Sequence, residues 1–334
     1  MADCSHLALA NLFSVRGLVA LVTGGGTGIG EFSFPPLPLH NADPYPYPSR
    51  LKTTLTLFRF VFAPALAANG ATVYITGRRQ QPLDDVVTHY SAGVEGKIVA
   101  LQGDVSKKED LQRLAKEIET REGGLHILVN NAGVVGPCTT FDKSKPLEQL
   151  TSELFAETQE DWNKCFEINN HALYFSTMAF LPLLAKFTNG GDERGRAVHP
   201  KYQTTVINIS SISGYVRFAQ NHFAYNSSKG AAQHLHRMLA TEFSHTGIRF
   251  NCISPGLFPT EMTGGGPGSS SAGKSSLPEE WNGHGLEVPG RRGGMDEEMG
   301  GTILYLCSRA GQFTSGVILP VDGNTLAANP SCYN

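Results

Sequence analysis

Charged side chains are scarce in this chain. They make up 17% of its 334 residues, against roughly a quarter in ordinary globular proteins. The formal net charge is −3 and no block of lysine and arginine stands out. Nucleic-acid binding driven by phosphate attraction is thereby excluded. Cysteine pairs are also missing. Cys4, Cys138, Cys165, Cys252, Cys307 and Cys332 are scattered, and none forms a C-x-x-C. That leaves no zinc site and no disulfide framework, only idle thiols in a reducing compartment. Long hydrophobic runs are absent. The most apolar stretch, Leu55 to Ala68, contains Arg59 and Pro64 and is too short to span a bilayer. The opening MADCSHLALANLFSVRG has neither a basic flank nor a long apolar run, so it does not read as a signal peptide. The expectation is a soluble, cytoplasmic protein with no membrane or nucleic-acid partner.

Glycine is what the chain has in excess. There are 37, about 11% where roughly 7% is usual. Together with the 40% of apolar residues they bring the total to about half, ordinary for a packed core. The excess points to tight turns and close backbone approaches.

Leu18-Val19-Ala20-Leu21-Val22 is a short apolar run ending at Thr23. Such a run suits a strand buried on both faces of a parallel sheet. Further strands are expected at Ala71 to Thr76, Lys97 to Gln102, Ile127 to Asn130, Thr205 to Ile209, Arg249 to Ile253 and Gly316 to Val321. Helical patterns lie between most of them: Lys107 to Glu122, Asp161 to Phe187 with a break near Pro182, and Ala224 to Ser244. This alternation predicts an α/β fold, a doubly wound, Rossmann-type parallel sheet of about seven strands with helices on both faces. It favours one domain over two. A polar stretch, Asn189 to Thr204, reads as a surface loop. Thr263 to Gly294 is rich in Gly, Ser and Pro and follows a strand, where ligands bind in such sheets. It reads as a flexible substrate lid.

The glycine-rich turn Thr23-Gly24-Gly25-Gly26-Thr27-Gly28-Ile29-Gly30 directly follows the first strand. Gly24 permits a tight turn, Gly28 lets the backbone approach a pyrophosphate, and Gly30 lets the next helix pack close to the strand. A helix N-terminus there offers free N–H groups to the anion. At the end of the second strand stand Thr76-Gly77-Arg78-Arg79, with no carboxylate. A carboxylate there would suit the ribose hydroxyl of NAD, whereas arginine suits the 2′-phosphate of NADP. NADP is therefore favoured over NAD, held by Arg78 or Arg79.

Tyr225 and Lys229 are four residues apart in a helical stretch and share one face. A cation beside a phenol favours the phenolate, which makes the tyrosine a usable acid or base. Ser211 ends a strand fourteen residues earlier and is suited to hydrogen-bond a carbonyl oxygen.

Taken in order, the T-G-x-x-x-G-x-G turn, Asn130-Asn131-Ala132-Gly133, Ser211, Tyr225-x-x-x-Lys229 and Asn251-Cys252-Ile253-Ser254-Pro255-Gly256 resemble the short-chain dehydrogenase/reductase family. The match runs over almost the whole chain. PGLFPTEM and LYLCSRAG look most like fungal 3-oxoacyl-carrier-protein-reductase-like members. The resemblance implies catalysis by Ser211, Tyr225 and Lys229. Asn169, in FEINNHALYF, would help carry a proton-relay water toward the lysine, with Asn170 as the rival. It implies cofactor contacts from Thr23, Gly24, Gly28, Ile29, Gly30, Asp104, Val105, Asn131, Ala132, Gly133, Tyr225, Lys229, Pro255, Gly256 and Thr260, with Ile253 flanking the nicotinamide. Asp104 has a second reading as the cap of a helix beginning near Ser106. The substrate is expected to be a small carbonyl/alcohol pair, such as an oxoacyl or secondary-metabolite ketone. Its pocket is shaped in part by Ile212, Ser213, Gly214 and Tyr215. Members assemble as homodimers or homotetramers through the helices carrying Asn169 and Tyr225. His222, His234 and His236 lack acidic partners at ligand spacing, so structural or surface roles are expected and no metal site.

Two departures stand out. A βαβ unit takes about 30 residues, yet far more separate Val19 from Ile75. Residues 31–62 are foreign in composition, and prolines at 35, 36, 38, 44, 46 and 48, with Pro64 beyond, forbid a continuous helix from Gly30. A helix restarting near Thr53 or Leu55 would be kinked at Pro64. The segment reads as translated intron. Its rival is a real insertion, and a chain disabled by it would be a binding or scaffold protein. In Val321-Asp322-Gly323-Asn324, relatives usually carry a second glycine, and little effect is expected.

Overall fold

The computed structural model describes residues 4–25, 61–188, 201–258, 287–290 and 292–329. The strands are β1 (Val19–Thr23), β2 (Thr72–Gly77), β3 (Lys97–Gln102), β4 (Ile127–Asn130), β5 (Thr205–Ile209), β6 (Arg249–Pro255) and β7 (Ile318–Val321). Each lies within two residues of its expected ends. They form one sheet in the order β3-β2-β1-β4-β5-β6-β7, and every pairing is parallel.

The helices are α1 (Leu9–Leu12), α2 (Phe62–Ala68), α3 (Gln80–Tyr90), α4 (Lys108–Glu122), α5 (Leu147–Phe155), α6 (Gln159–Phe166), α7 (Ala172–Phe187), α8 (Phe223–Glu242), α9 (Asp296–Cys307) and α10 (Thr325–Ala328). Two cores explain why β1 is continuously apolar. Ala20 and Val22 pack with Phe62, Leu66, Ile303 and Leu306 on one face of the sheet. Val19 and Leu21 pack with Leu114, Ile118, Phe180 and Leu184 on the other. A strand covered on both sides has no wet face on which to place polar residues.

Two expectations about helices are corrected. The break in the long helical pattern is not at Pro182, which lies inside α7. A proline there costs roughly 3 kcal/mol. Its buried neighbours Phe180, Leu183 and Leu184 contribute roughly 1.5–3 kcal/mol each, so the helix continues. The irregularity is a wide π-type turn at Glu167–His171 between α6 and α7. Pro64 makes no kink, because it sits in the first turn of α2, where its missing N–H leaves no helical bond unmade. Residues 31–60, most of 263–294 and the start of any helix near Thr53 lie outside the described residues. No helix among the described residues is long and apolar enough to cross a membrane.

Sheet order places the crossover between β1 and β4, since the chain runs outward to β3 and then returns to the other side of β1. The carboxyl ends of these two strands therefore open the crevice where such sheets bind ligands. A buried polar chain runs beneath it. Asn130 Nδ2 donates to Thr177 Oγ1 (3.0 Å) and Asn208 Oδ1 (2.9 Å). Asn208 Nδ2 meets His236 Nδ1 (3.2 Å), and His236 Nε2 meets the Val317 carbonyl (3.1 Å). Burial pushes the His236 pKa down from 6.5 to about 4, and the neighbouring Arg237 charge adds to the shift. Below pH 6.5 the unfolded chain takes up a proton that the folded chain refuses. Stability present above that pH is thus lost as pH falls toward 4, on the order of 2 kcal/mol by about pH 5. Urea titrations between pH 5 and 7.5 should show this loss, and His236→Asn should shrink it. An unchanged slope in the variant would remove His236 as its source.

Candidate active site

The cradle at the crevice is built by four hydrogen bonds. Thr23 Oγ1 accepts from the N–H of Asn131 (3.0 Å) and Ala132 (3.2 Å) and donates to the Val129 carbonyl (3.3 Å). Asn131 Nδ2 donates to the Thr23 carbonyl (3.0 Å). The ends of β1 and β4 are thus laced together, with one bond of the Asn131 side chain part of the lacing. Gly24 follows at φ +69°, and a Cβ there would lie 2.7 Å from Ala132 Cα. Only glycine meets both conditions. Gly28, Ile29, Gly30 and Thr260 lie outside the described residues. Gly133 is buried beside the lacing.

Past the ends of β2 and β3 opens a cleft of about 350 Å³, lined by Arg78, Gln102, Gly103, Asp104, Lys107, Asp110 and Arg113. Arg78 lines the cleft, whereas Arg79 stands at the start of α3 and is not among the lining residues. Arg113 is committed, donating to the Gln102 carbonyl (2.8 Å) and Asp110 Oδ1 (3.1 Å). Arg78 has no ion pair among the described residues. The Asp104 N–H donates to Asp110 Oδ2 (2.8 Å), and this bond, with Arg113 second, holds the Asp110 carboxyl below its usual range. Asp104 Oδ1 accepts from Ser106 N–H (3.0 Å) and Oγ (2.8 Å), so it caps its own turn and not the helix, which begins at Lys108. Val105 is buried in the second core. Three cations over two carboxylates, with Arg113 the one bonded to a carboxylate among the described residues, fit the phosphorylated end of a dinucleotide. Lys107, Gln102 and Arg113 were not singled out from sequence. A basic residue two positions past Asp104-Val105 was the available signal.

Ser211 follows β5 in extended conformation, 8% exposed. Its Oγ accepts from Ser213 N–H (3.1 Å), capping a short 3-10 turn over Ile212–Gly214. Tyr225 and Lys229 stand one turn apart on α8, with Lys229 Nζ 5.7 Å from the tyrosine ring centre. Lys229 is buried and its Nζ donates to the Ile209 carbonyl (3.1 Å), while Ser210 Oγ donates to the Lys229 carbonyl (3.0 Å). The strand end and the helix are thereby stitched together, directly before Ser211 in the chain.

Asn169 lies in the wide turn and is buried, while Asn170 is half-buried. Its Oδ1 accepts from Val134 N–H (2.8 Å), and its Nδ2 faces the Val134 carbonyl (2.8 Å), Ser228 Oγ (2.9 Å) and Cys165 Sγ (3.4 Å). With both amide hydrogens committed, the side chain is a clamp between α8 and the segment after β4. A relay through Asn169 has to use its main-chain carbonyl. Ile253 is fully buried within the first core. Gly256 is placed by β7: its N–H donates to the Val321 carbonyl (2.9 Å), and a Cβ would lie 2.6 Å from Asp322 Cα. Asn324 adopts φ +73°, the left-handed conformation that asparagine tolerates better than most residues. This explains how it stands where glycine is usual. Gly214 presses on α8, where a Cβ would lie 2.7 Å from Gln233 Nε2. His222 precedes α8 with its Nε2 3.8 Å from Cys138 Sγ, and His234 is exposed. Among the described residues no group of three His, Cys, Asp or Glu side chains is placed to hold a metal.

A family profile described as enoyl-(acyl carrier protein) reductase matches residues 60–324. The chain is 36% identical to the short-chain dehydrogenase/reductase PhomF of Diaporthe leptostromiformis, over 98% of this chain and 97% of that protein. It is 28% identical to the rhamnolipids biosynthesis 3-oxoacyl-[acyl-carrier-protein] reductase of Pseudomonas aeruginosa, over 93% of this chain and 97% of the relative. Among solved structures, the Pseudomonas aeruginosa RhlG/NADP active-site complex superposes with a TM-score of 0.65 at 27% identity, covering 94% of this chain and 98% of the other.

Proposed function

Because the chain belongs to the short-chain dehydrogenase/reductase family, a family of NAD(P)-binding oxidoreductases, we propose that it is an NADP-dependent reductase of a ketone or oxoacyl substrate, or catalyses the reverse oxidation. The observation that carries this reading is the stitching of α8, which carries Tyr225 and Lys229, to Ile209 and Ser210 at the end of β5, directly before Ser211 in the chain. The cofactor would be held by the Thr23–Gly25 turn with Gly28, Ile29 and Gly30, by Arg78 and Asp104, by Ala132 and Gly133, and by Pro255-Gly256 with Thr260. When bound, it supplies or accepts the hydride. Ser211 Oγ donates a hydrogen bond to the substrate oxygen and stabilises the charge that develops there. Tyr225 hands its hydroxyl proton to the same oxygen, and the Lys229 ammonium offsets the charge left on the phenol.

Support for NADP is the uncommitted Arg78 in the cleft. The likeness to a 3-oxoacyl reductase and to fungal members supports an oxoacyl or secondary-metabolite ketone. Exposed Tyr174 and Phe175 on α7 and Met238 on α8 support assembly as a homodimer or homotetramer through these helices, in the cytoplasm. Of residues 31–62, read as translated intron, Val61 and Phe62 are buried in the first core at the start of α2, so the intron reading is kept for 31–60. A spliced message that retains them would overturn that part. Fluorescence titration of the full-length chain is expected to give NADPH affinity about tenfold or more above NADH, from one charge-assisted phosphate contact. Binding of neither would overturn the reading and favour a scaffold protein.

A further inference from the structure

We propose that Gln233 is a positioning residue of this site, tethering the Ser211 main chain to α8 and to β6. The inference rests on the reading of Ser211, Tyr225 and Lys229 given above. Tyr225, Lys229 and Gln233 follow one another at intervals of four on α8, so they form one stripe on the helix. Gln233 is 3% exposed. Its Nε2 donates to the Ser211 carbonyl (3.0 Å) and to Ser254 Oγ (3.3 Å). A main-chain carbonyl only accepts, so the amide nitrogen must face it. Ser254 is fully buried in β6, next to Pro255. One amide group thus joins α8, the residue after β5 and the end of β6.

The tether completes a ladder. Lys229 Nζ fixes the Ile209 carbonyl and Ser210 Oγ fixes the Lys229 carbonyl, and neither bond reaches Ser211. Among the described residues, the one other bond to the Ser211 carbonyl comes from Gly214 N–H (3.1 Å), inside the same turn. That bond cannot locate the turn relative to the helix. Gln233 can. The turn approaches so closely that a Cβ at Gly214 would lie 2.7 Å from Gln233 Nε2 and 2.9 Å from the Lys229 carbonyl carbon. A buried amide without partners would cost more than an apolar side chain of its size, so its two donor bonds are what make it fit this position. The consequence is chemical. Ser211 Oγ and the Tyr225 hydroxyl must meet one substrate oxygen, and misplacement by about 1 Å is enough to cost a hundredfold in rate.

The test compares full-length wild type, Gln233→Leu and Gln233→Glu, with NADPH and acetoacetyl-N-acetylcysteamine thioester as the probe. Leu keeps most of the bulk without the donors. Its kcat is expected to fall about tenfold to a hundredfold, with the probe KM and NADPH affinity within about twofold. Glu donates only while protonated. Its kcat should therefore fall as pH rises through the carboxyl titration, a limb absent from wild type and not produced by a filler side chain. Hydrogen exchange reads the tether without turnover. Amides of 209–216 should exchange about tenfold faster in Gln233→Leu, while those of α8 stay protected. Unchanged kcat and unchanged exchange would overturn the proposal. If wild type neither binds NADPH nor turns over the probe, the functional reading fails and the exchange result alone decides the tether. If Gln233→Leu does not fold, the pH limb of Gln233→Glu decides it.

Discussion

Replacing Tyr225 with Phe is expected to cut turnover by roughly 10³-fold while leaving NADPH affinity within about twofold. The substitution removes one oxygen and keeps the ring. Lys229 remains buried with its Nζ on the Ile209 carbonyl, and Ser228, next to it, still donates to the main-chain carbonyl of residue 225 (2.7 Å). The helix should therefore hold its position. What is lost is the proton donor at the substrate oxygen. Ser211 can still stabilise charge there, so a residual rate is expected and not zero. Steady-state kinetics with a 3-oxoacyl thioester, run beside a fluorescence titration with NADPH, separates the two quantities. A variant that keeps more than a tenth of wild-type kcat would mean that another group protonates the product. A variant that loses cofactor affinity in proportion would mean that the hydroxyl serves binding.

Arg78→Glu should lower NADPH affinity by roughly a hundredfold and leave NADH affinity nearly unchanged. A hydrogen bond to a charged group is worth roughly 1.5–3 kcal/mol, which corresponds to about tenfold to 150-fold in a dissociation constant. Reversing the charge adds repulsion. Arg78 is the side chain to bear this, because Arg113 is already bonded to Asp110 and to the Gln102 carbonyl. Arg79→Glu is the matched control, since Arg79 does not line the cleft, and it should change NADPH affinity by less than about threefold. Equal losses for NADPH and NADH in Arg78→Glu would show that the arginine does not read the 2′-phosphate.

Much of this molecule is legible locally. Runs such as Leu18 to Val22 and Lys97 to Gln102 are continuous in apolar character or bounded by glycine, and their strands appear where the pattern puts them. The spacing of Tyr225 and Lys229 needs only the helical repeat. The tight turn at Gly24 was likewise visible, and φ +69° agrees with it.

Other features could not be read that way, for a common reason. The wide turn at Glu167–His171 holds Asn169, whose side chain bonds to Val134, 35 residues away. Helical periodicity carries no trace of that partner, and Pro182, the visible breaker, drew the expected break to the wrong place. That Arg78 and not Arg79 lines the cleft depends on the direction in which β2 ends against β3, which adjacent residues in the sequence do not state. His236 is marked in the sequence only as one of three nearby histidines. Its meeting with Asn208 spans 28 residues, and that asparagine's bond to Asn130 spans 78.

The sequence by itself determined the alternation of strand and helix and the tight turn at Gly24, and pointed to the serine, tyrosine and lysine proposed for the site. Each is a matter of residue type at short spacing. Tertiary structure alone decided which polar side chains are spent on holding the site and which are left for a ligand. Asn131 and Asn169 act as clamps, Ile253 is buried in the sheet, and Arg78 is left uncommitted. A buried polar group must find its partner wherever the fold brings one within reach, and that distance is set by how strands and helices pack.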